Sequence, residues 1–218
     1  MNIEWNGAHL SLLRERAIWQ RERSSVYLAD MHFGKDAAFR RYGIAIPAAV
    51  GQGDLDRLSR VLEQTQASRL VVLGDLLHAQ SGMTPETNRA FVAWRELHPD
   101  LEILLVRGNH DKSAGDPPAE WGITCVPEPH EEAGLLLRHE PPEDHLASRP
   151  ILSGHLHPCV TLRGEGKGRL TLPCFWVRPH VIVLPAFTDF AGRPTISPTA
   201  QDRIFVVGED VTEVRVLS

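Results

Sequence analysis

Residues 101–111 read LEILLVRGNHD, an apolar run of strand length that ends in a polar Gly-Asn-His-Asp turn. Three other apolar runs are also followed at once by polar residues: Asp30 and His32 after VYLA, Gly74 and Asp75 after LVVL, and the motif GHLH (154–157) after ILS. In open α/β sheets, ligands bind outside the carboxyl ends of the strands, so four such ends can meet in one crevice. The sequence therefore predicts a site assembled from strand ends that lie far apart along the chain.

Strand and helix signals alternate through the first half of the chain. Apolar patterns predict strands at 9–13, 16–20, 25–30, 69–75 and 101–108, and helical spacing predicts helices at 54–66 and 85–97 and a basic helix, KDAAFRR, between Gly34 and Tyr42. The second half is rich in strand candidates, at 134–139, 150–155, 159–164, 169–177, 180–187, 203–208 and 211–217. These patterns predict an α/β protein, and its length predicts a single domain over residues 1–218.

Composition indicates an ordinary globular protein, with 42% hydrophobic and 23% charged residues. The net charge of -5 argues against a protein that coats nucleic acid by bulk electrostatics, although local basic patches stay open. Three cysteines, Cys125, Cys159 and Cys174, have neither disulfide nor zinc-thiolate spacing. No apolar stretch approaches the roughly 18 residues that span a bilayer. We therefore expect a cytoplasmic protein with no export signal and no membrane partner.

The residue types at the four strand ends suit metal binding. Residues two apart on an extended strand point to the same face, so Asp30 with His32, and His155 with His157, can each present two ligands. Carboxylate, imidazole and amide groups without thiolate favour manganese, iron or zinc. Two such ions about 3.5 to 4 Å apart bind phosphoryl oxygens and activate water for in-line attack on phosphorus. The pattern predicts two divalent ions, manganese first with zinc or iron as alternatives, and hydrolysis of a phosphate ester.

Each motif has a simpler interpretation when it is taken alone. A lone DxH or GD is nearly uninformative, GNHD can be a turn that caps a helix through Asn109 or Asp111, and GHLH can be a pair of core histidines. Together and in order, the motifs outweigh these interpretations. So many polar groups, clustered at strand ends, would cost several kcal/mol if they were buried with no metal or ligand.

The ordered set DxH, GD, GNHD, H and GHxH, spread over residues 30–157, resembles the calcineurin-like metallophosphoesterase superfamily. The resemblance implies a four-layer αββα sandwich with a dinuclear metal site at the strand ends. It also implies a set of ligands: Asp30, His32 and His157 for one metal ion, Asn109, His139 and His155 for the second, and Asp75 as the bridge between them. His139 is preferred over the nearby His130 and His145 because it directly ends the apolar run GLLLR, whereas those two are expected in solvated loops.

His110 resembles the catalytic histidine of the family, which is not a metal ligand and contacts the phosphate or protonates the leaving oxygen. Protein-phosphatase members carry an aspartate three residues after the GD aspartate, but here His78 stands at that position. A histidine at that position resembles the DNA-repair nuclease branch of the superfamily. His78 and His110 are therefore predicted to form a pair that binds phosphate and transfers protons. The simpler alternative for His78 is a surface histidine at a strand end.

A finer resemblance covers nearly the whole chain. Residues 29–47 (ADMHFGKDAAFRRYGIAIP), 104–111 (LLVRGNHD) and 184–194 (LPAFTDFAGRP) resemble the bacterial ligase-associated DNA damage response endonuclease family. The resemblance implies a metal-dependent phosphodiesterase with DNA as its substrate, linked to DNA repair and functionally associated with a DNA ligase, a helicase and an exonuclease. Four basic residues near the motifs are candidate contacts to nucleic-acid phosphates, with ordinary solvation as the alternative: Lys35, Arg40, Arg41 and Arg107.

Other interpretations of the chain stay open. The same site could act on small nucleotides, cyclic nucleotides or phosphomonoesters. A scaffold of this type could also bind partners without catalysis, although such proteins typically lack ligands that this sequence retains. The Trp and Phe residues at 175, 176, 187 and 190 are interpreted as core and not as a surface on which bases stack.

Overall fold

The structure is a computed structural model that describes residues 1–46, 49–142, 148–163 and 168–215. Its α-helices over these residues are α1 (Lys35–Arg41), α2 (Ala49–Thr65), α3 (Pro85–Glu96) and α4 (Asn109–Ala114), and short 3₁₀ turns lie at Arg21–Arg23, Gln80–Gly82 and Ala119–Trp121. Its strands are β1 (Asn2–Trp5), β2 (Ala8–Leu12), β3 (Ile18–Gln20), β4 (Ser25–Leu28), β5 (Arg69–Leu73), β6 (Glu102–Val106), β7 (Ile123–Val126), β8 (His130–Glu132), β9 (Leu135–Leu137), β10 (Ile151–Ser153), β11 (Cys159–Arg163), β12 (Arg169–Val177), β13 (Val181–Val183), β14 (Arg203–Val207) and β15 (Val211–Val214).

The strands form two sheets. In the first sheet the order follows the chain from β1 to β7, with antiparallel pairing up to β4 and parallel pairing from β4 to β7. In the second sheet the order is β15-β14-β12-β13-β10-β9-β8, and β11 pairs with residues 169–173 of β12. β10 is parallel to both β9 and β13. Parallel pairing brings the carboxyl ends of β4, β5 and β6 to one edge of the first sheet, and those of β9 and β10 to one edge of the second.

The two sheets pack face to face through one hydrophobic core. Val71 and Leu73 of β5 face this core from the first sheet, and Phe175 of β12 faces it from the second. The alternate residues of β5, Leu70 and Val72, face the other way and pack against α2 and α3. Because β5 is buried on both faces, its sequence is apolar almost throughout instead of alternating.

Local sequence explains the two long helices. The buried apolar positions of α2 recur at helical spacing: Leu55, Leu58, Val61 and Leu62. α3 begins after Thr84, whose side chain accepts a hydrogen bond from the backbone N–H of Thr87, and Pro85 occupies its first turn. The α/β class and the sandwich of two sheets with helices are confirmed. On the outer face of the second sheet, the described residues that pack include Leu156 after β10, Leu162 of β11 and Ile196.

Several elements differ from the sequence prediction. β1, β7, β8 and α4 were not predicted, and α2 begins at Ala49 and not at residue 54. His130 lies on β8, paired with Leu137 of β9, so the expectation that it sits in a solvated loop is wrong. His145 and the final residues of the strands predicted at 159–164 and 211–217 lie outside the described residues. None of the described helices has the length and apolar character that crossing a bilayer requires.

Candidate metal centre

The seven predicted metal-binding residues all lie just beyond strand ends. Asp30 and His32 follow β4, Asp75 follows β5, Asn109 begins α4 after β6, His139 follows β9, and His155 and His157 follow β10. The structure brings these side chains together. Ligand atoms of Asp30, His32 and His157 lie within 4.8 Å of one another, and so do those of Asp30, Asp75 and His139.

Left-handed backbone conformations turn most of these side chains toward one another. The φ angles are +56° at Asp30, +47° at His32, +53° at Asp75, +71° at His155 and +46° at His157. Non-glycine residues rarely adopt this region, and such conformations concentrate at functional sites. The prediction that Asp30 with His32, and His155 with His157, sit on extended strands is therefore wrong. The pairs converge because the chain turns sharply at each ligand.

Three glycines next to the ligands leave no room for a side chain. A Cβ on Gly74 would lie 2.2 Å from His139 Nδ1, and one on Gly108 would lie 2.2 Å from Asp75 Oδ1. A Cβ on Gly154 would lie 2.7 Å from Asp30 Oδ2. The glycine in each of the motifs GD, GNHD and GHLH thus lets a ligand from another strand approach the backbone closely.

The first group of side chains surrounds Asp30. Its Oδ1 atom lies 3.2 Å from His157 Nε2, and His157 Nε2 lies 3.4 Å from His32 Nε2. The other carboxylate oxygen of Asp30 accepts a hydrogen bond from the backbone N–H of His155 at 2.9 Å. This bond fixes the carboxylate and leaves Oδ1 directed toward the two imidazoles.

The second group surrounds His139. Its Nδ1 atom lies 3.0 Å from the carbonyl oxygen of Leu73, which can only accept, so in the neutral ring the proton sits on Nδ1 and Nε2 carries a lone pair. That lone pair faces Asn109 Oδ1 at 2.9 Å, His155 Nδ1 at 3.1 Å and Asp75 Oδ1 at 3.4 Å. The second oxygen of Asp75 lies 4.0 Å from His32 Nε2, so Asp75 stands between the two groups.

The donor set fits divalent metal ions. His139 Nε2, Asn109 Oδ1 and Asp75 Oδ1 face one another with lone pairs. Lone pairs at this distance repel unless a cation lies among them. Asp30 Oδ1 and His32 Nδ1 are buried with no hydrogen-bond partner among the described residues. Ligand atoms at about 2.0 to 2.2 Å from an ion stand roughly 3 to 3.5 Å apart, and the spacings here run from 2.9 to 3.4 Å. Imidazole, carboxylate and amide ligands suit zinc, manganese or iron.

Burial sets the charge state of the site. It raises the pKa of the Asp75 carboxyl to about 6, an effect that His139 opposes and Asp30 reinforces. It also lowers the pKa of His32 to about 2, with a further contribution from the Lys35 ammonium. The neutral imidazole is the form that binds metal ions. A bound cation would offset the repulsion between the buried Asp30 and Asp75 carboxylates.

His110 and His78 lie beside the first group. Nitrogen atoms of His32, His78 and His110 come within 4.8 Å of one another, and the rings of His78 and His110 stack with centroids 5.0 Å apart. His110 Nδ1 donates to the carbonyl oxygen of His78 at 2.8 Å, which leaves Nε2 to face the site, 3.9 Å from Asp75 Oδ2. Burial and the nearby Lys35 lower the pKa of His78 to about 4, so this ring is neutral near pH 7. The link between the two residues runs through the His78 backbone and the ring faces, and not through a bond between ring nitrogens.

Two carboxylates that hold the ligand loops were not predicted as site residues. Asp111 accepts hydrogen bonds from the backbone N–H groups of Asp75, Leu77 and Gly108, at 2.7, 2.9 and 2.9 Å. Its place in the GNHD motif is a signal, although the motif taken alone predicts only that Asp111 caps a helix. Glu128 accepts from the backbone N–H of His139 at 2.9 Å, and no sequence pattern marks it.

The four predicted substrate-binding cations have different surroundings. Lys35 is half-buried near His32 and His78, on whose pKa its charge acts. Arg40 pairs with Asp36 at 2.9 Å, and both Arg40 and Arg41 line a groove bounded by α1, α2 and α3.

Arg107 makes two 2.7 Å hydrogen bonds to the carboxylate of Asp116. The structure therefore brings Lys35 to the site and gives Arg40 and Arg107 carboxylate partners of their own.

Comparisons with known proteins agree with this site in indicating a phosphoesterase. The family model of calcineurin-like phosphoesterases matches residues 26–171. Among solved structures, the crystal structure of Pseudomonas putida nuclease MPE is 37% identical, with a TM-score of 0.86 over 98% of this chain and 99% of that chain.

Two further structures are more distant. A protein of unknown function from Aquifex aeolicus is 20% identical, with a TM-score of 0.39 over 66% of this chain and 82% of that one. YfcE, a phosphoesterase from E. coli, is 15% identical, with a TM-score of 0.41 over 87% and 97%. A comparison with curated proteins finds no match.

Proposed function

This chain belongs to the calcineurin-like phosphoesterase family and is a hydrolase that acts on phosphate esters, and from that premise we propose that its substrate is a phosphodiester of nucleic acid. The observation that carries the proposal is the convergence of side chains from five strand ends on Asp75 and Asp30. The similarity to a nuclease over nearly the whole length of both chains supports nucleic acid as the substrate.

Membership of the family implies divalent metal ions. We assign Asp30, His32 and His157 to one ion and Asn109, His139 and His155 to a second, with Asp75 shared, and manganese as the first choice of metal. Divalent ions at such a site supply Lewis-acid chemistry, because they polarise phosphoryl oxygens and make water a stronger nucleophile near neutral pH. The ligand loops hold these residues in place before any substrate arrives, through Asp111 and Glu128.

We assign to His110 the transfer of a proton to the leaving oxygen of the phosphate ester. Its Nδ1–H is held by the His78 carbonyl, so the ring presents Nε2 to the site, and the side chain is 38% exposed and accessible to substrate. A protonated Nε2 can donate a hydrogen bond to a phosphoryl oxygen and pass its proton to the leaving oxygen. His78 positions that ring, and the ammonium of Lys35 offers a contact for an adjacent phosphate.

The finer assignment is to DNA repair in the cytoplasm, in functional association with a DNA ligase, a helicase and an exonuclease. It rests on the resemblance of residues 29–47, 104–111 and 184–194 to the ligase-associated endonucleases. DNA is accordingly the nucleic acid that we propose as substrate.

Assays with matched substrates test this function. The purified protein, stripped with EDTA and reloaded with Mn²⁺, should hydrolyse bis-p-nitrophenyl phosphate and cleave DNA. It should act more slowly on the monoester p-nitrophenyl phosphate. The EDTA-treated protein and the Asp75→Asn variant are the negative controls. Hydrolysis confined to monoesters or free nucleotides would replace the proposal with the small-substrate alternative. No hydrolysis of any ester would end it.

A further inference from the structure

A row of aromatic rings leads away from the candidate active site. His110 stacks on His78, and Phe39 also stacks on His78, at a centroid distance of 5.9 Å and an interplanar angle of 22°. Phe190 meets Phe39 at 5.4 Å and 70°, so these two rings form a corner. The corner lies two rings away from the histidine that we assign to proton transfer.

Phe39 and Phe190 are not core residues. Both are half-buried, and neither belongs to a hydrophobic core cluster of the described residues. Phe175 and Phe187 are fully buried, as predicted, but the expectation that Phe190 is core is wrong. Phe190 lies three residues beyond Phe187, in a loop, where no strand alternation directs its ring inward.

Lys35 places a positive charge at the same corner. Its Nζ atom lies 5.3 Å from the centroid of the Phe190 ring, and the side chain is half-buried. Within the described residues Lys35 forms no ion pair, unlike Arg40 and Arg107. A partly desolvated ammonium without a carboxylate partner is suited to an anionic ligand such as a phosphodiester.

The loop that carries Phe190 is held in place by ion pairs. Arg16 donates to the carbonyl oxygen of Thr188 at 2.9 Å, and both Arg16 and Arg57 pair with Asp189, the residue before Phe190. These bonds tie the loop to the turn between β2 and β3 and to α2. The ring of Phe190 is thus positioned in advance, which reduces the entropy lost on binding.

We propose that Phe39, Phe190 and Lys35 form a nucleotide subsite, in which an unpaired base stacks in the corner of the two rings and Lys35 binds the neighbouring phosphate. The inference rests on the proposed function and adds to it a contact to bases. Aromatic rings beside a cation are the general means of binding single-stranded nucleic acid without reading its sequence. A base in a duplex presents no free face, so the subsite takes a nucleotide that is unpaired.

Two oligonucleotides of equal length test the subsite, oligo(dT) and a chain of abasic tetrahydrofuran residues with the same phosphates. The manganese-loaded protein should cleave oligo(dT) with the higher kcat/KM. Phe190→Leu and Phe39→Leu should each lower the ratio of the two kcat/KM values about tenfold, the effect of one lost stacking contact. Phe190→Trp should keep the ratio. The ratio does not depend on the fraction of folded protein.

Leu97→Ala is the matched control, because Leu97 is an exposed apolar residue just after α3 that has no assigned role, and it should leave the ratio unchanged. Equal cleavage of the two oligonucleotides by the unmodified protein, or a ratio that neither leucine variant lowers, would overturn the subsite and leave the nuclease function intact. Hydrolysis of bis-p-nitrophenyl phosphate with no cleavage of either oligonucleotide would instead remove the nuclease function, and the subsite with it.

Discussion

Asp75 lies where the two groups of candidate ligands meet, with one carboxylate oxygen 3.4 Å from His139 Nε2 and the other 4.0 Å from His32 Nε2. His110 donates its backbone N–H to one oxygen of the same carboxylate, and its ring Nε2 lies 3.9 Å from the other, outside both groups of candidate ligands. The two residues therefore have separable roles, one in holding metal and one in proton transfer.

Asp75→Asn should abolish phosphodiester hydrolysis and reduce bound metal, because an amide offers one ligating oxygen where the carboxylate offers two. His110→Ala should lower kcat by about 10²- to 10⁴-fold, the usual contribution of a positioned proton donor, with metal content nearly unchanged. Elemental analysis of both variants, alongside steady-state kinetics, checks the assignment. Equal loss of metal in the two variants would contradict it.

Asp111 acts on the same loops through the backbone. Its buried carboxylate accepts three N–H hydrogen bonds, from two different strand ends. Asp111→Asn would turn an amide N–H₂ toward one or more of these donors, which leaves buried groups unsatisfied. We expect the free energy of unfolding to fall by about 3 kcal/mol.

Urea unfolding of the metal-free protein measures this change. Asp116→Asn is the control, because Asp116 forms an exposed ion pair with Arg107 and such pairs contribute only about 0 to 1 kcal/mol. Similar destabilisation by the two substitutions would argue against the role given to Asp111.

At the scale of the elements, the turns after β5, β6 and β10 decide whether the ligands can meet. Gly108→Ala would bring a Cβ within 2.2 Å of Asp75 Oδ1, so the turn or the carboxylate must move. We expect loss of bound manganese and at least a tenfold loss of activity, because ligand positions matter to within about half an ångström.

Gly53→Ala is the matched control for that substitution. Gly53 lies in α2, and a Cβ there would meet nothing within 4 Å. Alanine in a helix should raise the free energy of unfolding by about 0.5 to 1 kcal/mol and leave metal content unchanged. If Gly108→Ala binds manganese as tightly as Gly53→Ala, the close packing of turn and ligand does not matter for the site.

α2 is also joined to the loop of Phe190 through a buried carboxyl group. Burial raises the pKa of Asp54 to about 6, although a hydrogen bond with Thr188 and the charge of Arg57 oppose the shift. The folded state then binds the proton more tightly than the unfolded state, whose pKa is 3.8. Between these two values the free energy of unfolding should fall as pH rises, by up to about 3 kcal/mol from this group.

Asp54→Asn removes that titration. Urea unfolding of the metal-free protein at pH 4, 5, 6 and 7 should show the unmodified chain losing stability relative to the variant, mostly between about pH 4 and 6 and only slightly between pH 6 and 7. Asp75 titrates in both proteins and cancels in the comparison. A difference that does not vary with pH would contradict the raised pKa of Asp54.

At the scale of the whole molecule, the sequence predicts the parts of the fold that depend on local patterns. β12 at 169–177 and α1 at 35–41 match their predicted bounds, because apolar alternation and helical spacing are local properties. β8 was missed because His130 and Glu132 lack the apolar signal of a strand and are ordered by pairing with β9. Whether an edge strand such as β8 forms depends on packing against residues distant in sequence, and no local sequence pattern indicates that packing.

The candidate site also has features that the sequence predicts and features that it does not. The strand-end motifs predicted which side chains meet, since parallel strands bring their carboxyl ends to one edge. They did not reveal the left-handed turns at Asp30 and His155, the support from Glu128, or the corner of Phe39 and Phe190. These features depend on contacts between segments more than 10 residues apart, such as the bond from His139 to Glu128.

Anomalous diffraction at the manganese edge, from crystals grown with Mn²⁺, tests the dinuclear site most directly. We expect two peaks about 3.5 to 4 Å apart, both within ligating distance of Asp75. One should be bounded by Asp30, His32 and His157, and the other by Asn109, His139 and His155. A single peak, or peaks out of reach of Asp75, would contradict the assignment of a pair of metal ions to these side chains.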